Sequence, residues 1–352
     1  MAEKTKVVVG ISGGVDSLAT ALLLQKQGAE VVGVTFIFTE TQNNPEFKQH
    51  VKSVVDKLGI NHAFVDKRRH FQETVAAYFV RGYMKGQTPN PCAFCNIYVK
   101  WPELFAYAKE VGAQRVAMGH YAQISLLNGL PAVQKGTDTE KDQSFFLWGL
   151  SPKQLSQIDF PMGQMDKTDV KKLVARLGFN RVASQKESTG PCFTGKNYRT
   201  RLLQIVGEEH MPGFGNFISP DKEVLGRHKG FPFYTVGQRH GLGLNLTQKM
   251  FVKTIMPATN QIVLAEPGAL WSTGFTLVDF HVHFPEIVFH EIVEAKLRYR
   301  CQQAFARVSV QGDQLRVNLI EPEWAVAPGQ TAVLYFNNAV VGGGFIERVD
   351  GC

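Results

Sequence analysis

One stretch, Ser12-Gly13-Gly14-Val15-Asp16-Ser17, constrains this chain more than any other, because of what flanks it. Lys6-Val7-Val8-Val9-Gly10 reads as a strand buried on both faces. Leu18-Ala19-Thr20-Ala21-Leu22-Leu23-Leu24 reads as the helix that follows. The order strand, glycine turn, helix makes a phosphate cradle: glycines let backbone N–H groups approach an anion, and the helix N-terminus adds partial positive charge. Ser12 and Ser17 add hydroxyl donors, and Asp16 either orients the loop or holds a magnesium ion. The nucleotide loop Gly-x-x-x-x-Gly-Lys-Ser/Thr is a different string and does not stand here. The competing reading is an ordinary glycine turn closing a βα unit.

The six residues resemble the PP-loop of the ATP pyrophosphatase superfamily, which cleaves ATP between the α and β phosphates. They sit at the first βα turn, where doubly wound sheets place phosphates. The resemblance implies ATP, with its Mg2+, against Gly10, Ile11, Ser12, Gly13, Gly14, Val15, Asp16 and Ser17.

At 352 residues the chain exceeds one typical domain. Residues 1 to about 195 alternate strand-like and helix-like segments, with strands at 30–38, 62–66 and 115–118 and helices near 47–58 and 71–83. That rhythm predicts a doubly wound parallel sheet with helices on both faces. From about Pro212 short β-branched and aromatic runs alternate with Gly and Pro, predicting one or two small antiparallel β domains. The expected organisation is multi-domain α/β plus β. It comprises a PP-loop catalytic domain at 1–198, a small central β-rich domain at 199–270 and a C-terminal β-barrel at 271–352.

Basic residues number 38 against 31 acidic, and the excess of +7 suits a polyanionic partner. No apolar run approaches the roughly 18–20 residues that span a bilayer. The start Met1-Ala2-Glu3-Lys4-Thr5-Lys6 lacks a signal-peptide apolar segment, so a cytoplasmic protein is expected. Five cysteines, an odd and low count, argue against a secreted disulfide framework.

Three of those cysteines stand in unusual company. Thr88-Pro89-Asn90-Pro91-Cys92-Ala93-Phe94-Cys95-Asn96 places a Cys-x-x-Cys pair in what reads as a proline-rigid loop. Such pairs are redox-active, metal-binding or cluster-binding. Cys192 lies in Ser188-Thr189-Gly190-Pro191-Cys192-Phe193-Thr194-Gly195. Inert cysteines favour apolar strands and helices rather than glycine-proline loops, so Cys95 and Cys192 are candidates for chemistry. Cys301, read as lying in a strand, and Cys352 are expected to be passive.

With these loops in view the chain resembles the tRNA-specific 2-thiouridylases, which replace oxygen by sulfur at C2 of the wobble uridine. The likeness extends to Gly119-His120-Tyr121-Ala122, Lys141-Asp142-Gln143-Ser144, Tyr234-Thr235-Val236-Gly237-Gln238-Arg239-His240-Gly241-Leu242-Gly243 and Ala295-Lys296-Leu297-Arg298-Tyr299. It implies that ATP adenylates the C2 oxygen, and that Cys192 carries a persulfide from a sulfur-carrier protein or cysteine desulfurase. The sulfur attacks C2 directly, or as hydrosulfide released by Cys95, and Cys95 then forms a disulfide with Cys192 that a reductant reopens. Phe36 and Gly119 join the ATP contacts, although Phe36 alone reads equally as a core aromatic. Asn90, Pro91 and Cys92 are expected at the target base, and Lys141, Asp142, Gln143, Arg298 and Tyr299 on the tRNA. Considered alone, 141–143 reads as a solvated polar loop.

One position departs from the pattern: many family members carry Asp where this chain has Cys92. A thiol of pKa about 8.5 cannot replace a carboxylate of about 3.9 without changing the proton chemistry. Cys92, Cys95 and Cys192 together also supply enough thiolates for a [4Fe–4S] cluster with one open iron. His281, His283 and His290 form no metal-ligand pattern with Cys or carboxylates. Two other functions stay open at this stage. One is a different PP-loop enzyme adenylating a small metabolite, with no need of the two cysteines; the other is a tRNA-binding protein without catalysis.

Overall fold

The computed structural model describes residues 4–185, 190, 192–195 and 197–351. Of the positions singled out above, Met1, Ala2, Glu3, Ser188, Thr189, Pro191 and Cys352 lie outside the described residues. The chain divides into two compact units. The first joins 1–75, 92–189 and 337–340, and the second joins 76–91, 190–336 and 341–352.

In the first unit, β1 (Lys6–Gly10), β2 (Glu30–Ile37), β3 (Asn61–Asp66) and β4 (Arg115–Ala117) form a parallel sheet, extended by Ile158–Asp159. The spatial order is β3-β2-β1-β4 and then Ile158–Asp159. Order therefore reverses between β1 and β4, and the loops leaving the carboxyl ends of those strands diverge around a crevice. Val7, Val8 and Val9 are buried, as are nearly all residues of β2, which explains their unbroken apolar runs.

Helix α1 (Val15–Lys26) follows the glycine turn directly. Helix α2 (Pro45–Leu58) begins with proline in its first turn, capped by Asn44 Oδ1 accepting from the Phe47 amide at 2.7 Å. It ends at Gly59, whose φ of 65° is left-handed. Its Val51, Val54, Val55 and Leu58 share one buried face and join the core of α1 and β1. A hairpin, Ala122–Leu127 with Leu130–Lys135, was not legible in the sequence; both strands are only partly buried and carry polar residues.

The second unit contains two β structures. Gly215–Ile218, Val224–His228, Phe251–Met256 and Gln261–Ala265 form a four-stranded sheet around Phe217, Tyr234, Val252, Ile262 and Leu264. It is not wholly antiparallel, since Gln261–Ala265 runs parallel to Gly215–Ile218. Six strands then close a barrel, in the order Trp271–Val282, Gln314–Trp324, Ala304–Gln311, Val293–Lys296, Thr331–Phe336 and Ala339–Val349, with the first pairing the last. Closure removes the sheet edges. Cys301 lies in a bend after Val293–Lys296 rather than in a strand, with its Sγ 3.2 Å from the Arg298 carbonyl.

Candidate active site

Residues Gly10 to Ser17 leave β1 at the reversal of strand order and are tied down on every side. The Ile11 amide donates to Val34 O at 2.8 Å, and the Ile11 carbonyl accepts from the Thr35 hydroxyl at 2.6 Å. Within the loop the Ser12 amide donates to Ser17 Oγ at 3.1 Å, while Ser17 Oγ donates to Gly14 O at 3.0 Å. His50 of α2 donates from Nε2 to Gly13 O at 2.9 Å. Gly13 takes φ +77°, and a Cβ there would lie 3.0 Å from the His50 ring. Glycine is required on both counts. Gly14 caps α1 without a side-chain bond, so no cap side chain occupies the first-turn N–H groups, which have no intrahelical acceptors.

Gly119, just past β4, completes the cradle. A Cβ on it would stand 2.8 Å from the Asp16 carbonyl carbon and 2.9 Å from the Ser17 amide nitrogen. The glycine therefore lets the chain leaving β4 lie directly on the start of α1. Phe36 is buried at the end of β2, its ring 5.9 Å from Phe38, which in turn meets Phe71.

Asp16 is held by Tyr121, from the string 119–122, and by Lys167, which the sequence did not single out. Lys167 Nζ reaches its two carboxylate oxygens at 2.6 and 2.7 Å, and the Tyr121 hydroxyl donates to Oδ1 at 2.8 Å. These contacts fix the carboxylate beside the loop. Lys167 is the first residue of helix Lys167–Arg176, where a cation opposes the helix dipole. Its backbone amide donates to Asp138 Oδ2 at 3.0 Å. A lysine at so unfavourable a local position was the available signal that a tertiary partner waits for it.

Lys167→Met is expected to leave the partly exposed Asp16 carboxylate undercompensated, lowering stability by about 1–2 kcal/mol. Asp16→Asn should recover part of that loss. Urea unfolding of both single variants and the double variant measures the coupling.

The string 141–144 backs this network. Gln143 Oε1 accepts from the Tyr121 amide at 3.2 Å, and the Gln143 amide donates to Tyr121 O at 2.9 Å. Asp142 is buried, with Oδ1 accepting from the Gly136 and Ser144 amides and Oδ2 from the Ser144 hydroxyl. Asp142 and Gln143 thus hold the segment that carries Tyr121, and Lys141 beside them is half-buried. His120 stacks on Trp101 at 5.6 Å, and burial pushes its imidazole down to about 3. It is a neutral ring at any ordinary pH.

The Cys-x-x-Cys pair is helical rather than a loop. Pro91–Cys95 is an α-helical turn that runs into a π-helical turn, Asn96–Lys100, and then into helix Trp101–Glu110. Pro91 starts it because a first-turn proline loses no intrahelical bond. Cys92 and Cys95 are therefore about one turn apart; Cys92 is partly exposed and Cys95 buried. π-helical turns occur disproportionately at functional sites.

Cys192 belongs to the second unit, as do Asn90, Pro91, Arg298 and Tyr299. It is exposed, at the start of a turn whose next two residues, Phe193 and Thr194, are buried. Among the described residues no three His, Cys, Asp or Glu side chains are placed to hold a metal ion. The residues present thus do not form the ligand set expected for a [4Fe–4S] cluster on Cys92, Cys95 and Cys192. Arg298 donates from Nη2 to the carbonyls of Trp324 and Ala325, an internal brace of the barrel. Tyr299 lies between Lys296 and Arg300, each about 6 Å from its ring centre. Among the described residues no helix is long and apolar enough to cross a membrane.

Residues 5–196 match the domain family described as tRNA methyl transferase HUP domain. Residues 203–266 match the tRNA methyl transferase PRC-barrel domain, and 272–346 the aminomethyltransferase beta-barrel domain. The chain is 42% identical over 349 residues to tRNA-specific 2-thiouridylase MnmA 2 of Phocaeicola vulgatus, covering 97% of each. It is 38% identical over 362 residues to tRNA-specific 2-thiouridylase MnmA 1 of Bacteroides fragilis, covering 99% of this chain and 100% of the relative. A third relative, tRNA-specific 2-thiouridylase MnmA of Cytophaga hutchinsonii, is 36% identical over 365 residues, covering 99% and 98%. Among solved structures, a 4-thiouridine synthetase–RNA complex with bound ATP aligns at TM-score 0.36 and 18% identity over 57% of this chain and 50% of that one, a likeness too slight to carry inference.

Proposed function

The chain belongs to the tRNA-specific 2-thiouridylase family, and from that premise we propose that it is a sulfurtransferase replacing the C2 oxygen of the tRNA wobble uridine with sulfur in an ATP-dependent reaction. ATP lies in the cradle of Gly10 to Ser17 with Gly119 beside it, its phosphates on the first-turn amides of α1. A magnesium ion bound with the nucleotide would supply charge neutralisation of its phosphates. Lys167 and Tyr121 fix Asp16 beside the cradle.

The uridine O2 attacks the α phosphorus and pyrophosphate departs, which turns a poor leaving group into AMP. Cys192 carries a persulfide supplied by a sulfur-carrier protein or cysteine desulfurase. Its terminal sulfur bonds to C2 as the C2–O bond breaks, and AMP leaves with that electron pair. Cys95 thiolate then attacks Cys192 Sγ, freeing the thiocarbonyl and leaving a Cys95–Cys192 disulfide. An external dithiol supplies the two electrons that reopen it. In the alternative order Cys95 attacks the persulfide first and releases hydrosulfide, which attacks C2.

Residues 1–198 act as the catalytic domain, 199–270 as the adaptor and 271–352 as the tRNA-contacting barrel. Asn90, Pro91 and Cys92 meet the target base, and Lys141, Asp142, Gln143, Arg298 and Tyr299 contact the tRNA. A base in the anticodon loop is already largely unpaired, so extruding it costs only a few kcal/mol.

The observation that carries this reading is the exposed Cys192 thiol, held at a turn by buried neighbours as a nucleophile facing a macromolecular substrate requires. The test is mass spectrometry of nucleosides from tRNA incubated with the protein, ATP and a persulfide donor. 2-Thiouridine is expected in the complete mixture and absent without ATP. Its absence from the complete mixture would overturn the proposal.

A further inference from the structure

The turn bearing Cys192 is pinned to one helix at two aromatic points. Phe193 meets Phe79 edge-on with ring centres 5.2 Å apart, and Phe79 meets Tyr83 at 5.0 Å. Tyr83 in turn stacks on Tyr198 at 4.5 Å with the rings only 13° from parallel. Phe79 and Tyr83 are four residues apart on helix Ala77–Met84, hence neighbours on one face. Phe193 and Tyr198 bracket the end of the cysteine turn, Tyr198 as the first residue of helix Tyr198–Val206, which Asn197 caps by accepting from the Arg199 amide. Phe79, Tyr83 and Phe193 are all under 9% exposed, while Cys192 between Gly190 and Phe193 is exposed.

The opposite attachment of the same helix concerns the segment that leads to Asn90 and Cys92. A Cβ on Gly82 would stand 2.8 Å from Pro89 Cβ, so Pro89 lies directly on the helix backbone. The Thr88 amide donates to Pro328 O at 2.7 Å, and Gln330 Nε2 donates to Thr88 O at 2.8 Å. One short helix therefore sets the position of the Cys192 turn through Phe79 and Tyr83 and that of the 87–90 segment through Gly82.

We propose that Phe79 and Tyr83 are positioning residues for sulfur transfer: they hold the Cys192 turn so that its sulfur is presented in one place. This rests on the reading of Cys192 as the persulfide carrier. The step affected is the one in which the terminal sulfur bonds to C2 as AMP leaves. Adenylation, in which uridine O2 displaces pyrophosphate, does not use Cys192 and is untouched.

The test separates the two steps in the full-length protein loaded with a polysulfide-derived persulfide. Phe79→Leu and Tyr83→Leu are expected to slow single-turnover 2-thiouridine formation by about 10- to 100-fold, as a misplaced reacting group does. Pyrophosphate release with ATP and tRNA should stay within about twofold, because adenylation needs only nucleotide and base positioning. Phe79→Tyr and Tyr83→Phe keep the rings and should restore transfer. Unchanged transfer in both leucine variants overturns the proposal, and so does a parallel fall of both steps or a failure of the conservative variants to rescue. A Cys192→Ser protein that still makes 2-thiouridine would instead overturn the carrier reading itself.

Discussion

Cys192→Ser is expected to abolish 2-thiouridine formation, by a factor on the order of 10³ or more, while pyrophosphate release with ATP and tRNA continues. Serine occupies nearly the same volume on an exposed turn, so packing by Phe193 and Thr194 is undisturbed. Its hydroxyl, however, neither ionises near neutral pH nor accepts a sulfane sulfur, so the step after adenylation has no sulfur to deliver. Cys95→Ser is expected to stop turnover differently, by trapping tRNA on Cys192 through a disulfide link to the uridine that dithiothreitol releases. Cys301→Ser is the internal comparison: its sulfur meets the Arg298 backbone N–H and carbonyl, and activity should be unchanged. Pyrophosphate and nucleosides measured in the same reaction decide the matter. Thiolation at the wild-type rate by the Cys192 variant would remove this residue from the mechanism.

The second large effect is expected at Gly119. Alanine there places a methyl group 2.8 to 2.9 Å from backbone atoms of Asp16 and Ser17, and no flexible side-chain end is available to yield. The start of α1 must move away from β4, carrying the first-turn amides and Asp16 with it. A stability loss of about 1–3 kcal/mol is expected from the overpacking. A displacement near 1 Å at the phosphates should lower kcat/KM for ATP by about 10²-fold. Gly268→Ala, which meets nothing within 4 Å, should change stability by less than about 0.5 kcal/mol. ATP-dependent pyrophosphate release and urea midpoints of the two variants provide the comparison; equal behaviour would show that the close approach at Gly119 is not required.

The parallel sheet was legible because β1 and β2 carry unbroken apolar runs and each leads to a helix, the second with ordinary caps at Asn44 and Gly59. The hairpin at 122–135 was not legible, since its half-buried, mixed residues resemble a polar connection. The cysteine pair read as a loop because two prolines precede it, yet Pro91 starts a helix there. Polar strings hid another feature: Asp142 and Gln143 read alone as a solvated loop, but they also make hydrogen bonds to Gly136, Ser144 and Tyr121.

Sequence alone determined that a glycine turn with two serines and an aspartate would sit between a strand and a helix, since that depends on neighbouring residues and local backbone preference. It also marked the cysteine segments as unlike those of a packed interior. Only the tertiary structure decided what Asp16 touches, because its partners Tyr121 and Lys167 stand 105 and 151 positions away. The same holds for Gly119, whose need for glycine arises from α1 lying across the end of β4, and for Phe79 and Tyr83 beneath the Cys192 turn. Hydrogen bonds and close packing act over a few ångströms of space, and the fold alone brings such distant residues within that range.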